Sequence, residues 1–343
     1  MELVGIGLPP KACSVLNGQA PVAPTREVVD EMRTKHPAAS QPISWEALRP
    51  VHGAAAPILD DDLVRKAIKS FPKDSACGPC GLRPQHIRDA MVPGFEDELI
   101  RQLSALVNLL ARGEAAPDAR PFFCGATLVA LRKEDATHRP IAVGETLQRL
   151  VCKSLAMVAK ADARDILEPL QVGVGTPGGV EAVPHVCRKW FAMHSQDQNR
   201  VLANLDIENA FNSLNRQESV AATRALFPSL APWVDWSYGE TSFVRIGDAR
   251  ISSERGVQQG DPLGPLLFSL ALHRAVGRVK LRVPAECPGI LDFSVAYLDD
   301  MFVAGTDDAV AWFCEALSSE LGSMGLSTST HTQMHPYAQR GLR

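Results

Sequence analysis

Ser294-Val295-Ala296-Tyr297-Leu298-Asp299-Asp300-Met301-Phe302-Val303-Ala304-Gly305 is a β-prone apolar run, a pair of adjacent carboxylates, and a second β-prone apolar run. Tyrosine and bulky aliphatic residues flank the pair, with no glycine or asparagine at the turn. The stretch therefore reads as two strands of a hairpin with Asp299 and Asp300 at its tip. An isolated Asp-Asp is most often an ordinary turn. Two charges at the edge of an otherwise buried hairpin, however, call for a cation or a special partner.

Working outward, a second carboxylate follows another strand-like run directly, in Val201-Leu202-Ala203-Asn204-Leu205-Asp206-Ile207. If the two strands are neighbours in one sheet, Asp206 and Asp299 can face each other across a pair of divalent cations roughly 3.5–4 Å apart. That arrangement suits in-line displacement at phosphorus. Hard carboxylate oxygens favour magnesium. Glu208, two residues on, ranks below Asp206 as a ligand. Between these segments lies Arg255-Gly256-Val257-Gln258-Gln259-Gly260-Asp261-Pro262-Leu263-Gly264-Pro265, a turn-rich loop opening a helix near Pro262. A helix start offers free backbone N–H groups to bases or phosphates, though an ordinary loop with a proline-initiated helix would look the same.

These three segments, in this order, resemble the catalytic motifs of reverse transcriptases of the non-long-terminal-repeat retroelement type. Asp206-Ile207-Glu208-Asn209-Ala210-Phe211-Asn212 is similar to the first, the 255–268 loop to the substrate-positioning motif, and Tyr297-Leu298-Asp299-Asp300 to the second catalytic motif. The resemblance runs from about Cys77 to Leu326. It implies that Asp206, Asp299 and Asp300 are catalytic and hold two Mg2+ ions. It also implies that Gln258, Gln259 and Gly260 lie near the incoming nucleotide and template. Phe211 takes the position of an aromatic beneath the incoming sugar, where it would collide with a ribose 2′-hydroxyl; a core phenylalanine is the alternative. Upstream, residues 126–143 resemble the fingers hairpin that grips a triphosphate, with Lys133 and Arg139 as the phosphate cations. Gly78 to Ile87 is similar to a fingers loop and helix that help hold the template.

The fold implied is α+β: right-hand polymerase fingers and palm, with an antiparallel palm sheet backed by helices and no visible thumb. Residues 1–57, rich in Pro and Ala, are expected to be a poorly ordered leader, with helical character only near Arg26 to Lys35. Residues 58–199 are expected to form a fingers-like helical region carrying the hairpin, 200–326 a palm-like catalytic region, and 327–343 a divergent tail. The tail's Ser327-Thr328-Ser329-Thr330-His331-Thr332-Gln333 lacks the lysine that the family places in a following strand. Helical apolar spacing is clearest at Leu63, Val64, Ala67, Ile68 and Phe71, at Leu99 to Leu110, from Arg216 to Leu226, and from Ala309 to Leu321.

Expected partners are an RNA template, a nucleic-acid primer and deoxynucleoside triphosphates. The sequence carries no signal for an oligomeric state. Two rivals share many of these features: an RNA-dependent RNA polymerase, against which Phe211 argues, and an inactive RNA-binding remnant. A net charge of −4 over 343 residues argues against a general nucleic-acid coat. No apolar run is long enough to span a bilayer and no secretory signal opens the chain, so an intracellular location, cytoplasmic or nuclear, is expected. The eight cysteines read as reduced core residues rather than a disulfide framework. Cys77-Gly78-Pro79-Cys80 has redox-pair spacing without the βαβ context such a pair needs. A zinc site on these cysteines and His86 would lack a fourth ligand. His331 and His335 are expected to be solvated.

Overall fold

A computed structural model describes residues 21–51, 55–197 and 199–328, together with the backbone of His335–Pro336. Two four-stranded sheets organise the chain. One holds β1 (Ala126–Arg132), β2 (His138–Gly144), β4 (Ser242–Ile246) and β5 (Ala249–Ser253) in the order β2-β1-β4-β5. The other holds β3 (Arg200–Leu205), β6 (Leu291–Tyr297), β7 (Asp300–Thr306) and β8 (His335–Pro336) in the order β6-β7-β3-β8.

The second sheet is antiparallel throughout. Its strands alternate or fill with apolar residues because one face is packed: Ala203, Leu205, Met301 and Val303 are fully buried. They pack in the main core against α9 (Gly264–Glu286) and α10 (Asp307–Ser323). Helix α9 begins at Gly264 rather than at Pro262, because the Asp261 carboxylate accepts from the Leu263 N–H (2.9 Å) and holds the preceding turn out of the helix. In the same core lie α2 (Asp61–Lys69), α4 (Glu96–Ala111), α5 (Thr146–Leu167), α7 (Arg216–Leu226) and α8 (Ala231–Tyr238). The start of α2 is set by Asp60, whose side chain accepts from the Leu63 N–H at 2.8 Å. Helix α3 (Pro84–Asp89) follows a proline start, and α6 (Gly179–His194) packs on β6.

Two expectations need correction. Within the 1–57 segment the helix expected near Arg26 to Lys35 is docked rather than loose: α1 (Arg26–Thr34) buries Val28, Val29 and Met32 against the first sheet. Its three apolar residues, spaced 1 and 3 apart in a charged helix, supply a stripe just wide enough to dock. The boundary expected at residue 200 also does not separate the two regions. Strands β4 and β5, from the later part of the chain, complete the sheet begun by the β1–β2 hairpin, with β4 parallel to β1. The backbone of His335 and Pro336 pairs with Leu202 and Val201, while His331 lies outside the described residues. Among the described residues no helix is long and apolar enough to cross a membrane.

Candidate active site

Leu298 and Asp299 form the two-residue turn that closes β6 onto β7, and Asp300 opens β7 paired to Tyr297, so of the expected tip pair only Asp299 lies in the turn itself. Leu298, the first turn residue, has φ +56°, a conformation that a branched aliphatic side chain rarely adopts. A positive φ at the first turn position alone is the pattern of a type II′ hairpin, where glycine is usual. Strand β3 lies on the other side of β7, and the last pair of their register is Leu205 with Met301. Continuing that register by one residue sets Asp206 opposite Asp300.

The charge of Asp206 acts on both Asp299 and Asp300. Burial, reinforced by the charges of Asp300 and Asp206, raises the Asp299 pKa above the ordinary aspartate value, against a hydrogen bond from its own backbone and the opposing charge of Arg139. Partial burial and then Asp206 raise Asp300 in the same way, although water reaches it. This patch thus holds negative charge that the chain itself leaves under-compensated. Among the described residues no three carboxylate, thiol or imidazole groups are already drawn together at ligating distance. Glu208 is turned aside: its N–H donates to the Ser327 carbonyl (2.9 Å), and its carboxylate accepts from the Ser327 hydroxyl (3.3 Å).

Phe211 follows the sharp turn at Asn209, whose φ of +46° is tolerated because Asn can bond locally. The Asn209 side-chain amide donates to the Lys35 carbonyl (2.9 Å) and the Ser213 hydroxyl (3.0 Å). The half-buried Phe211 ring stacks on Phe268 of α9, centroids 5.0 Å apart and 30° between planes. Its carbonyl accepts from the Val257 N–H (2.8 Å), tying the first motif to the glutamine loop.

The glutamine loop departs from the sequence reading in detail. Gln258 is buried, its amide donating to the Cys124 carbonyl (3.0 Å) and the Ser242 hydroxyl (3.4 Å), so its side chain is used within the protein. Gln259 accepts from the Ala142 N–H through its carbonyl (2.7 Å). Gly260, at φ +132°, lies so close to β2 that a Cβ would stand 2.3 Å from the Ala142 oxygen. The loop is therefore pressed onto the hairpin that carries Arg139. Arg139 is exposed on β2 and near enough to Asp299 to oppose its upward pKa shift. Lys133 is exposed at the hairpin tip, where its charge helps to hold the Asp135 carboxyl below its usual value after the hydrogen bonds from Thr137.

Several residues escaped the sequence reading. Asp261 is buried, accepts from the Tyr238 hydroxyl (2.5 Å), and has its pKa raised by burial. Arg216 is buried and donates to the carbonyls of Gly256, Ser253, Arg255 and Glu240. Gln171 contacts the Leu298 turn through both ends of its amide. For Asp261 the signal was present, an acid three residues ahead of a proline-started helix; Arg216 and Gln171 carry no local pattern. Cys80 has a thiol pushed up by burial and by Glu145, which disfavours the thiolate a redox pair would need.

Residues 131–331, more than half of the chain, match the family profile of the reverse transcriptase (RNA-dependent DNA polymerase). The chain is 27% identical over 247 residues to the retrotransposable element SLACS 132 kDa protein of Trypanosoma brucei gambiense, covering 70% of this chain and 20% of that protein. It is 28% identical over 235 residues to the Pol polyprotein of the type-2 retrotransposable element R2DM of Drosophila melanogaster, covering 66% and 21%. A Popillia japonica R2 polyprotein matches at 28% over 143 residues, covering 39% and 20%. The chain thus spans about one fifth of the length of these relatives. With its two aspartate-bearing strands side by side and the motifs in order, the chain belongs to the reverse transcriptase family, of the non-long-terminal-repeat retrotransposon type.

Proposed function

We propose that this chain adds deoxynucleotides to a primer under the direction of an RNA template, using a carboxylate-held pair of magnesium ions. The observation that carries the reading is the convergence of Asp206, Asp299 and Asp300 at the adjacent ends of β3, β6 and β7, with Arg139 near enough to act on Asp299. The donor set suits magnesium: hard carboxylate oxygens, net negative, edged by Arg139. Bound there, the two ions would lower the pKa of the primer hydroxyl and neutralise charge on the leaving oxygens.

The chain's own residues do the rest. Asp206 and Asp299 hold the ions, and Asp300 supports them. Arg139, a forked donor on a rigid strand, orients the triphosphate toward the carboxylates. Lys133 at the hairpin tip adds a mobile point charge for the same group. The Gln259 and Gly260 backbone fixes the distance between hairpin and palm, and Gln258 keeps that loop in place from inside. Phe211, backed by Phe268, presents a ring that a deoxyribose clears and a ribose does not.

Primer extension by the purified chain on an RNA template with magnesium tests this, with deoxynucleotides and ribonucleotides compared and Asp206→Ala as control. Synthesis restricted to deoxynucleotides and lost in Asp206→Ala is expected. Efficient ribonucleotide incorporation would favour an RNA-dependent RNA polymerase. Tight RNA binding by a folded chain that makes no product would favour a binding remnant.

A further inference from the structure

The catalytic hairpin holds a residue that should not be comfortable there. Leu298 has φ +56°, in a turn where glycine would be free of strain, and it immediately precedes Asp299. The turn is held from outside the sheet. Gln171 is 1% exposed; its amide nitrogen donates to the Leu298 carbonyl (2.9 Å), and its amide oxygen accepts from the Leu298 N–H (2.7 Å). The same oxygen accepts from the Gly173 N–H at 2.9 Å, which fixes which end of the amide faces which group.

The support behind this clamp is rigid. Gln171 follows α5, its N–H donating to the Leu167 carbonyl (2.9 Å), and Leu167 is fully buried. The segment pairs with the outer edge of β6: Val172 donates to the Ala296 carbonyl (2.9 Å), and Ala296 donates to the Leu170 carbonyl (2.6 Å). Gly173 passes so close that a Cβ would lie 2.7 Å from the Leu298 nitrogen. Both main-chain groups of the strained residue are therefore satisfied by one buried side chain rather than by the hairpin.

We propose that Gln171 is a positioning residue for nucleotide addition: its carboxamide holds the Leu298 main chain in the left-handed conformation that presents Asp299 to Asp206. The proposal rests on the polymerase reading above. A buried amide that bonds both main-chain groups of one turn residue, and is oriented by a third bond from Gly173, specifies a single geometry, because any other turn conformation leaves polar groups unpaired. A displacement of about 1 Å at reacting groups can cost on the order of a hundred-fold in rate.

The test compares the native chain, Gln171→Leu, Leu298→Gly and the double variant by hydrogen exchange of the 294–303 segment and by primer extension with a magnesium titration. In Gln171→Leu, exchange at the hairpin is expected to rise. The turnover rate should fall at least about ten-fold and the magnesium requirement should increase, with the deoxynucleotide KM and RNA affinity within about two-fold. In the Leu298→Gly background the same substitution should cost less than about three-fold, because glycine holds a positive φ unaided. Equal losses in both backgrounds, unchanged exchange, or a loss mirrored in KM and RNA affinity would overturn the proposal. Native synthesis untouched by Gln171→Leu sinks the proposal alone, whereas a native chain without synthesis sinks the polymerase reading and the proposal with it.

Discussion

Phe211 packs on the core and, on the function proposed above, would also select the sugar. Its ring is stacked on Phe268 and only partly buried, so on the proposed reading its removal would change what the site excludes. Phe211→Ala is expected to raise ribonucleotide incorporation on the order of ten- to a hundred-fold relative to deoxynucleotide, measured as a ratio of kcat/KM values. Asp299 makes the complementary case. Its pKa is raised in the folded chain by burial and neighbouring acids, so the ionised form opposes folding at neutral pH. Asp299→Asn is therefore expected to abolish synthesis and yet raise the Tm of the metal-free chain by about 2 °C or more. A thermal scan in the presence of a chelator checks it, and a lowered Tm would contradict the electrostatic account.

At the scale of elements, the β1–β2 hairpin is held at three places. Gly260 presses on Ala142, and Gln259 binds the Ala142 N–H. From the other side, α1 grips His138: the Glu31 carboxylate accepts from the His138 N–H (2.8 Å) and contacts its Nδ1 (2.5 Å), while Lys35 donates to its carbonyl. Gly260→Ala combines a forbidden φ with a steric clash against backbone and should destabilise the chain by roughly 2–4 kcal/mol, read by denaturant unfolding. Burial alone would raise the Glu31 pKa, but the hydrogen bonds from His138 and Lys35 outweigh it and the net shift is downward. The sign follows: the stabilisation is present above the ordinary carboxylate pKa and lost as pH falls through the depressed folded value. Native chain should accordingly lose more stability than Glu31→Gln between about pH 5 and pH 3. Parallel acid-unfolding curves for the two would remove Glu31 from the linkage.

For the whole molecule, Arg216 is the tie between the helical core and the loop that precedes the glutamine motif. Its guanidinium is buried, with burial pulling its pKa down to about 10, and it serves four main-chain carbonyls. Arg216→Met leaves those carbonyls without a donor and is expected to cost roughly 3 kcal/mol or more, with unfolding that remains cooperative. The two sheets meet through this loop, since β4 and β5 lie before it in the first sheet and α9 after it packs under the second. Loss of Arg216 should therefore reduce activity together with stability, unlike the residue-scale changes above.

The hairpin that carries Asp299 and Asp300, the strand ahead of Asp206 and the main helices were legible in the sequence because each is written in local periodicity. Apolar runs flank an acidic pair, an apolar strand ends in an acid, and helical stripes are capped by residues such as Asp60. The order of the three motifs was enough to indicate the family. What the linear pattern could not carry is set by contacts between distant segments. The β1–β2 hairpin recruits β4 and β5 through backbone pairing and shared apolar packing between segments distant in the chain. Gln258 turns inward because Cys124 and Ser242 offer it partners, and Gln171 meets Leu298 across 127 residues. Sequence thus determined which residues bear the charge and which apolar stripes bury. Tertiary structure decided which polar side chains are consumed in holding the site, because hydrogen-bond satisfaction inside a core depends on the partners that folding brings within 3 Å or so.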